Sequence, residues 1–269
     1  MSEPALIVEE IGPILQATLN RPEKLNALNK EIMEGLGAAV KVYGERDDLR
    51  VFLIRARGRY FSAGAELGGG DRMAQPLNAG SAAMRHWYRT GGMGNGMQPL
   101  YAEMEAMEKP FVVAHHAPCV GGGLELSLSC DFRLAAQSAT YWLPEAKLGS
   151  IPASNGVSRI TRLVGPQWAK WMIMGAEPPI SAERALAIGL VQNVYPDETF
   201  EAEVMGFCER LAQQPPEMMA MAKLTIDLCA ELSPALAKSV ERLGQSVLGT
   251  GEESKRMMEE RRARFRKKA

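Results

Sequence analysis

The run Val120-Gly121-Gly122-Gly123-Leu124-Glu125-Leu126 constrains this chain more than any other stretch. It follows an apolar, strand-like segment, Phe111-Val112-Val113-Ala114, and opens a helical pattern from Leu124 to Cys130. Three glycines at that junction let backbone approach a ligand closely, because no Cβ stands in the way. A helix start carries unpaired N–H groups at the positive end of the dipole, so an oxyanion developing there is stabilised. Glu125, two residues past the glycines, suits a proton carrier beside that anion. Twenty residues further on lies a second carboxylate, Glu145, in Trp142-Leu143-Pro144-Glu145-Ala146-Lys147-Leu148-Gly149. Both acids stand among apolar and small residues, where a carboxylate is costly unless partnered. Burial raises a carboxyl pKa toward values that serve general acid–base work. An oxyanion site with two acids points to proton chemistry next to a carbonyl. Glycine-rich turns also serve plain helix packing, and the glycines alone leave both readings open.

Four motifs in order carry a resemblance. They are Leu19-Asn20-Arg21-Pro22-Glu23-Lys24-Leu25-Asn26-Ala27-Leu28, Phe61-Ser62-Ala63-Gly64-Ala65-Glu66-Leu67, the triple-glycine run with Cys130-Asp131, and Pro144 to Gly149. Together they resemble the enoyl-CoA hydratase/isomerase (crotonase) family over nearly the whole chain. The resemblance implies an α/β fold: a crotonase-like spiral of repeated ββα units over residues 1–198. It also implies a C-terminal helical region, residues 199–269, for oligomer contacts and closure of the coenzyme A site.

Composition narrows the partners. Lys plus Arg number 31 and Asp plus Glu 32, so no charge excess points to nucleic acid or an anionic membrane. Cys119, Cys130, Cys208 and Cys229 form neither a CxxC pair nor a zinc spacing, which fits a reducing compartment. No signal-like start and no membrane-length apolar run is visible, so a cytoplasmic location is expected. The ending Lys267-Lys268-Ala269 is not a peroxisomal address.

Ala5–Glu9 and Ile14–Leu19 read as a hairpin around Gly12-Pro13. Asn29 caps a helix whose buried face is Ile32, Met33, Leu36, Val40 and Tyr43. Val51–Ile54, Phe111–Ala114 and Phe132–Ala135 read as strands of an α/β core, with a brief strand at Leu190–Val194. The pattern fails from Gly68 to Pro99, where Met84, Arg85, His86, Trp87 and Tyr88 sit between glycine runs. That segment reads either as a lid over the acyl group or as a surface excursion. His115-His116 lacks a third ligand at metal spacing and reads as a structural turn. Helices are expected at Ser158–Val164, Gln167–Met174, Ser181–Ala187, Thr199–Gln213, Glu217–Glu231, Ala235–Leu248 and Glu252–Arg266.

The resemblance also assigns roles. The Ala65 and Gly122 N–H groups would hold the thioester carbonyl of an acyl-CoA. Lys24, Leu25, Ala27, Ala63, Leu67, Gly121 and Phe265 would line the coenzyme A and substrate channel, and Trp87, Tyr88, Trp142 and Pro152 the acyl pocket. Hydratases of the family carry both glutamates, which implies hydration of a trans-2-enoyl-CoA by Glu125 and Glu145. Neither a metal nor another cofactor is implied beyond the coenzyme A of the substrate, and a homotrimer or a homohexamer is expected. Alternatives are an isomerase, a hydratase-lyase acting on a bulky or aromatic acyl-CoA, and an idle acyl-CoA-binding protein. Departures from the family pattern fall at Pro152-Ala153-Ser154-Asn155-Gly156, where glycines are usual, at His115-His116-Ala117, at Glu66 and at Tyr141-Trp142. They bear on substrate choice more than on fold.

Overall fold

A computed structural model describes residues 3–66, 97–175 and 178–266, with backbone only over 264–266. The expected hairpin forms first: β1 (Leu6–Ile11) runs antiparallel to β2 (Ile14–Leu19). Helix α1 (Lys30–Glu45) begins where the Asn29 side chain accepts from the Ile32 N–H at 3.0 Å. Ile32, Met33, Leu36, Val40 and Tyr43 form its buried face. The chain returns as β3 (Val51–Ala56), parallel to β2. Strands β4 (Phe111–His115), β6 (Phe132–Ala136) and β9 (Asn193–Tyr195) extend the sheet in parallel, in the order β1-β2-β3-β4-β6-β9. A second small sheet joins β5 (Cys119–Val120), β7 (Thr140–Trp142) and β8 (Ile180–Ser181).

Alternation along the strands divides the core between the two faces of the large sheet. Phe52, Ile54, Phe111 and Val113 pack with α1, and Tyr43, Phe52 and Phe111 meet at ring-centroid distances of 5.2–5.4 Å. Val51, Leu53, Val112, Ala114 and Leu134 face the other way. There Phe200, Val204 and Cys208 of α6 (Phe200–Ala212) cover them.

Between the strands lie α2 (Met97–Ala106), α3 (Gly122–Leu128), α4 (Gly156–Lys170) and α5 (Ala182–Ala187). Helix α2 falls partly inside the stretch read as patternless. Its Met97, Leu100, Tyr101 and Met104 are buried at helical spacing, and Pro99 sits in the first turn, where a missing N–H costs nothing. The two helices expected on either side of Gly165-Pro166 are one kinked helix, with Gly165 at φ 76° and ψ 164°, and the last strand begins at Asn193 rather than Leu190.

The chain divides into two compact units. One comprises the chain up to Met107 together with Phe111–Ala212; the other comprises Glu108–Pro110 and the chain from Gln213 onward. Helix α6 therefore belongs with the sheet it covers. In the second unit α7 (Pro216–Glu231), α8 (Pro234–Thr250) and α9 (Glu252–Arg266) follow one another, and Lys223 donates to the Lys109 carbonyl at 3.1 Å. No helix among the described residues is long and apolar enough to cross a membrane.

Candidate active site

The site is built where three loops interlock. Asn26 is fully buried with φ 52°, a conformation asparagine tolerates. Its amide donates to the Arg57 and Tyr60 carbonyls at 2.7 and 2.9 Å, and its oxygen accepts from the Arg21 N–H at 2.8 Å. Arg21 in turn reaches Glu66 at 2.9 Å. The segment after β2 is thereby pinned beside the segment after β3: the Ala63 N–H donates to Leu25, Leu28 to Gly64, and Glu66 to Leu28. Because Leu28 pairs with the residues flanking Ala65, the Ala65 N–H faces away from that partner.

It faces the triple glycine. Val120 donates to the Ser62 carbonyl at 2.9 Å, and Gly121 to the Trp142 carbonyl at 2.8 Å. Gly121 takes φ 50° and Gly64 φ 97°, conformations natural to glycine. The backbones approach so closely that a Cβ on Gly122 would lie 3.0 Å from the Ala65 nitrogen, and one on Gly64 would lie 3.0 Å from the Gly122 nitrogen. The Gly122 N–H is in the first turn of α3, where no intrahelical acceptor exists. Two backbone amides without a partner in strand or helix thus lie close together at the positive end of a helix, an arrangement that suits a carbonyl oxygen gaining charge.

Glu125 stands one turn along, 5% exposed. Its Oε1 accepts from the Ser154 N–H at 2.7 Å. Burial pushes its pKa up to about 7. The Ser154 and Gly156 amides and the Arg159 cation act against that rise, and the Glu145 charge adds to it. A carboxyl in this state gives and takes protons near neutrality. Glu145, at the start of the turn Pro144–Leu148, places Oε1 2.9 Å from where a Gly121 Cβ would sit. Its Oε2 is buried with no hydrogen-bond partner among the described residues. Burial raises its pKa as well. Both acids and both amides therefore share one site.

Of the remaining residues named from the sequence, Leu25, Ala27 and Ala63 are half-buried along the interlocked loops, while Lys24 is exposed at the end of the turn Pro22–Lys24. Trp142 is half-buried under the Lys147 ammonium, 4.7 Å from its ring centroid. Pro152 is buried, 2.7 Å from the position of a Gly156 Cβ. Leu67, Trp87 and Tyr88, with most of the segment read as a lid, lie outside the described residues, as does the side chain of Phe265. His115 packs between Phe61 and Tyr141, with Nδ1 3.1 Å from the Tyr141 hydroxyl; burial lowers its pKa to about 3. His116 meets the Gly58 carbonyl at 2.6 Å. Sequence reasoning passed over Asn26, Ser62 and Arg159, whose work is to hold the loops; Ser62, fully buried, donates to the Asn26 carbonyl at 2.8 Å and accepts from Gly64 at 3.1 Å.

The family model for enoyl-CoA hydratase/isomerase matches residues 9–267. The chain belongs to this family. Among curated relatives, a crotonyl-CoA hydratase of Syntrophomonas wolfei is 32% identical over 237 residues, spanning 88% of this chain and 86% of the relative. A carnitinyl-CoA dehydratase of Salmonella enteritidis is 32% identical over 252 residues, spanning 93% and 88%. An enoyl-CoA hydratase from Bacillus anthracis of known crystal structure superposes with a TM-score of 0.83 at 26% identity, covering 97% of this chain and 96% of that one. The mixed α/β architecture with its parallel-rich sheet is therefore the crotonase fold, and the chain is an enzyme of the enoyl-CoA hydratase/isomerase superfamily.

Proposed function

We propose that this enzyme hydrates a trans-2-enoyl-CoA thioester. The reading rests on the buried Glu125 and the half-buried Glu145, whose Oε2 is turned inward, lying beside the closely packed Ala65 and Gly122 backbone. In this mechanism the thioester oxygen accepts from the Ala65 and Gly122 N–H groups, which stabilise the enolate-like charge formed as the β-carbon is attacked. Glu125 takes one proton from water while the hydroxide oxygen bonds to the β-carbon. Glu145 delivers a proton to the α-carbon, and the 2,3 double bond becomes a single bond. Proton exchange from Glu125 back to Glu145 restores the starting state. The reaction itself needs no metal or redox cofactor, and coenzyme A enters as part of the substrate.

Leu25, Ala27, Ala63, Gly121, Leu67 and Phe265, with Lys24 at the exposed edge, are proposed to bind the substrate. Trp87, Tyr88, Trp142 and Pro152 are proposed to surround its acyl group. A cytoplasmic homotrimer, or a pair of trimers, completes the reading. A second reading, dehydration of a bulkier 3-hydroxyacyl-CoA, is favoured by the equally similar carnitinyl-CoA dehydratase and uses the same groups in reverse.

Crotonyl-CoA and a cinnamoyl-type CoA ester are the test substrates, followed by loss of the conjugated absorbance and by product mass. Wild type is compared with Glu125→Gln and Glu145→Gln. A product heavier by one water that vanishes in both variants supports the proposal. An isobaric product, or turnover surviving Glu125→Gln, overturns it in favour of an isomerase.

A further inference from the structure

Behind Glu125 lies a polar chain that the hydration mechanism leaves unused. The Ser154 N–H that holds Glu125 belongs to a tight turn, Pro152 to Gly156, whose Asn155 takes φ 63°. The Ser154 carbonyl, in the next peptide unit, accepts from Arg159 Nη1 at 3.0 Å. Arg159 is only 6% exposed and sits on the first turns of α4. Its other edge forms a fork with Glu105 of α2: Nε meets Oε1, and Nη2 meets Oε2 at 2.5 Å. The Tyr101 ring, also on α2, faces the guanidinium carbon at 5.7 Å. A planar cation held on three sides cannot rotate freely, so the peptide it grips is fixed as well.

We propose that Arg159 is the positioning residue for Glu125: braced by Glu105, it anchors the Ser154 carbonyl, and with it the backbone of that residue, so that the Ser154 amide in the preceding peptide unit holds the carboxyl in the site. The inference rests on the proposed role of Glu125 in proton transfer. Arg159 touches no reacting atom. It acts through the backbone of Ser154, across two successive peptide planes joined at its Cα, and through its charge, which opposes the rise that burial imposes on Glu125. The ionisable groups facing Glu125 are Glu145 from the turn after β7, Arg159 from α4 and the Tyr101 hydroxyl from α2. Glu105 acts on it through Arg159.

The two members of the brace have opposite charges, which separates positioning from mere packing. With Arg159→Met the cation that favours ionised Glu125 is lost. The acid limb of the pH–rate profile should then move up by about one pH unit, with kcat down about 10- to 100-fold and KM within about threefold. With Glu105→Gln, at a half-exposed site that tolerates change, the cation is no longer offset. The acid limb should move down, and Arg159→Lys should bring the limb back toward wild type without restoring full kcat. The ionisation of Glu125 is followed in parallel by infrared difference spectroscopy, using Glu125→Gln to assign its carboxyl band. This readout survives if the enzyme proves to catalyse another reaction. Opposite displacements in Arg159→Met and Glu105→Gln support the inference. Displacement of both in one direction, or of neither in folded protein, overturns it. Absence of hydrated product from wild type, with the band shifts intact, would strike only the proposed function.

Discussion

Gly156→Ala should separate activity from stability with a single methyl group. A Cβ at this position would lie 2.7 Å from Glu125 Oε1, 2.7 Å from Pro152 Cβ and 2.9 Å from Glu125 Cγ, whereas ordinary contact begins near 3.4 Å. Relief requires a displacement of roughly 0.7 Å by the carboxyl or by the turn. Either movement disturbs the 2.7 Å hydrogen bond from Ser154. Glu125 is too deeply buried to swing into solvent. Misplacing a reacting group by about 1 Å costs on the order of a hundredfold, so under the proposed hydration kcat should fall about 30- to 100-fold. Stability changes far less. Overpacking costs about 1–3 kcal/mol, while replacing glycine by alanine in a helix returns up to about 1 kcal/mol. The net loss of ~0–2 kcal/mol corresponds to a drop in Tm of no more than about 8 °C. Initial rates at saturating crotonyl-CoA and neutral pH, paired with a thermal melt, read both quantities. A folded Gly156→Ala enzyme with kcat within threefold of wild type would refute the argument that Glu125 is held by this contact.

Three further perturbations test other parts of the site. Gly64→Ala places a methyl 3.0 Å from the Gly122 nitrogen at φ 97°, and should lower kcat about a hundredfold by parting the two amides, with steady-state kinetics as the check. Asn26→Ala removes three hydrogen bonds made by a fully buried side chain and should cost about 3 kcal/mol in denaturant unfolding, with a higher KM for the acyl-CoA as the Leu25–Ala27 segment loosens. Glu125→Gln addresses linkage. The native carboxyl has a pKa of about 7 against an ordinary 4.5, so the folded state binds this proton more tightly than the unfolded state does. Its stabilising contribution is complete below pH 4.5 and is lost as the pH climbs toward 7. The variant should therefore gain about 2–3 kcal/mol on wild type between pH 4 and pH 8, read by chemical unfolding at each pH.

The α/β core and the two acids were legible because their signals are local. Asn29 caps α1 and the spacing of Ile32, Leu36, Val40 and Tyr43 marks its inner face, while the sheet strands are short apolar runs bounded by turn residues. The triple glycine announces a close backbone approach, although not what approaches it. Other elements lacked a local signal. Strands β5, β7 and β8 have two or three residues each, too few to show a period, and they exist because loops elsewhere supply their partners. Helix α2 did carry a period, in Met97, Leu100, Tyr101 and Met104, but Pro99 disguised a permitted first-turn position as a break. Arg159 was unreadable for a different reason. An arginine at an early helical position looks solvated until Glu105 and the Ser154 carbonyl close around it, and those partners lie 54 and 5 residues away.

The pairing of Ala65 with Gly122 also has a kinetic side. The two nitrogens belong to segments far apart in sequence, brought together through single-residue bridges, Leu28 to Ala65 and Ser62 to Cys119, and the backbone bonds beside them, such as Val120 N–H to the Ser62 carbonyl. Such contacts come after long loops have been closed, so they mature late in refolding. A chain that has already regained its helices and main sheet remains inert until those bridges form. Regain of turnover should trail the far-ultraviolet signal, making the amide pair an internal clock for the last step of folding.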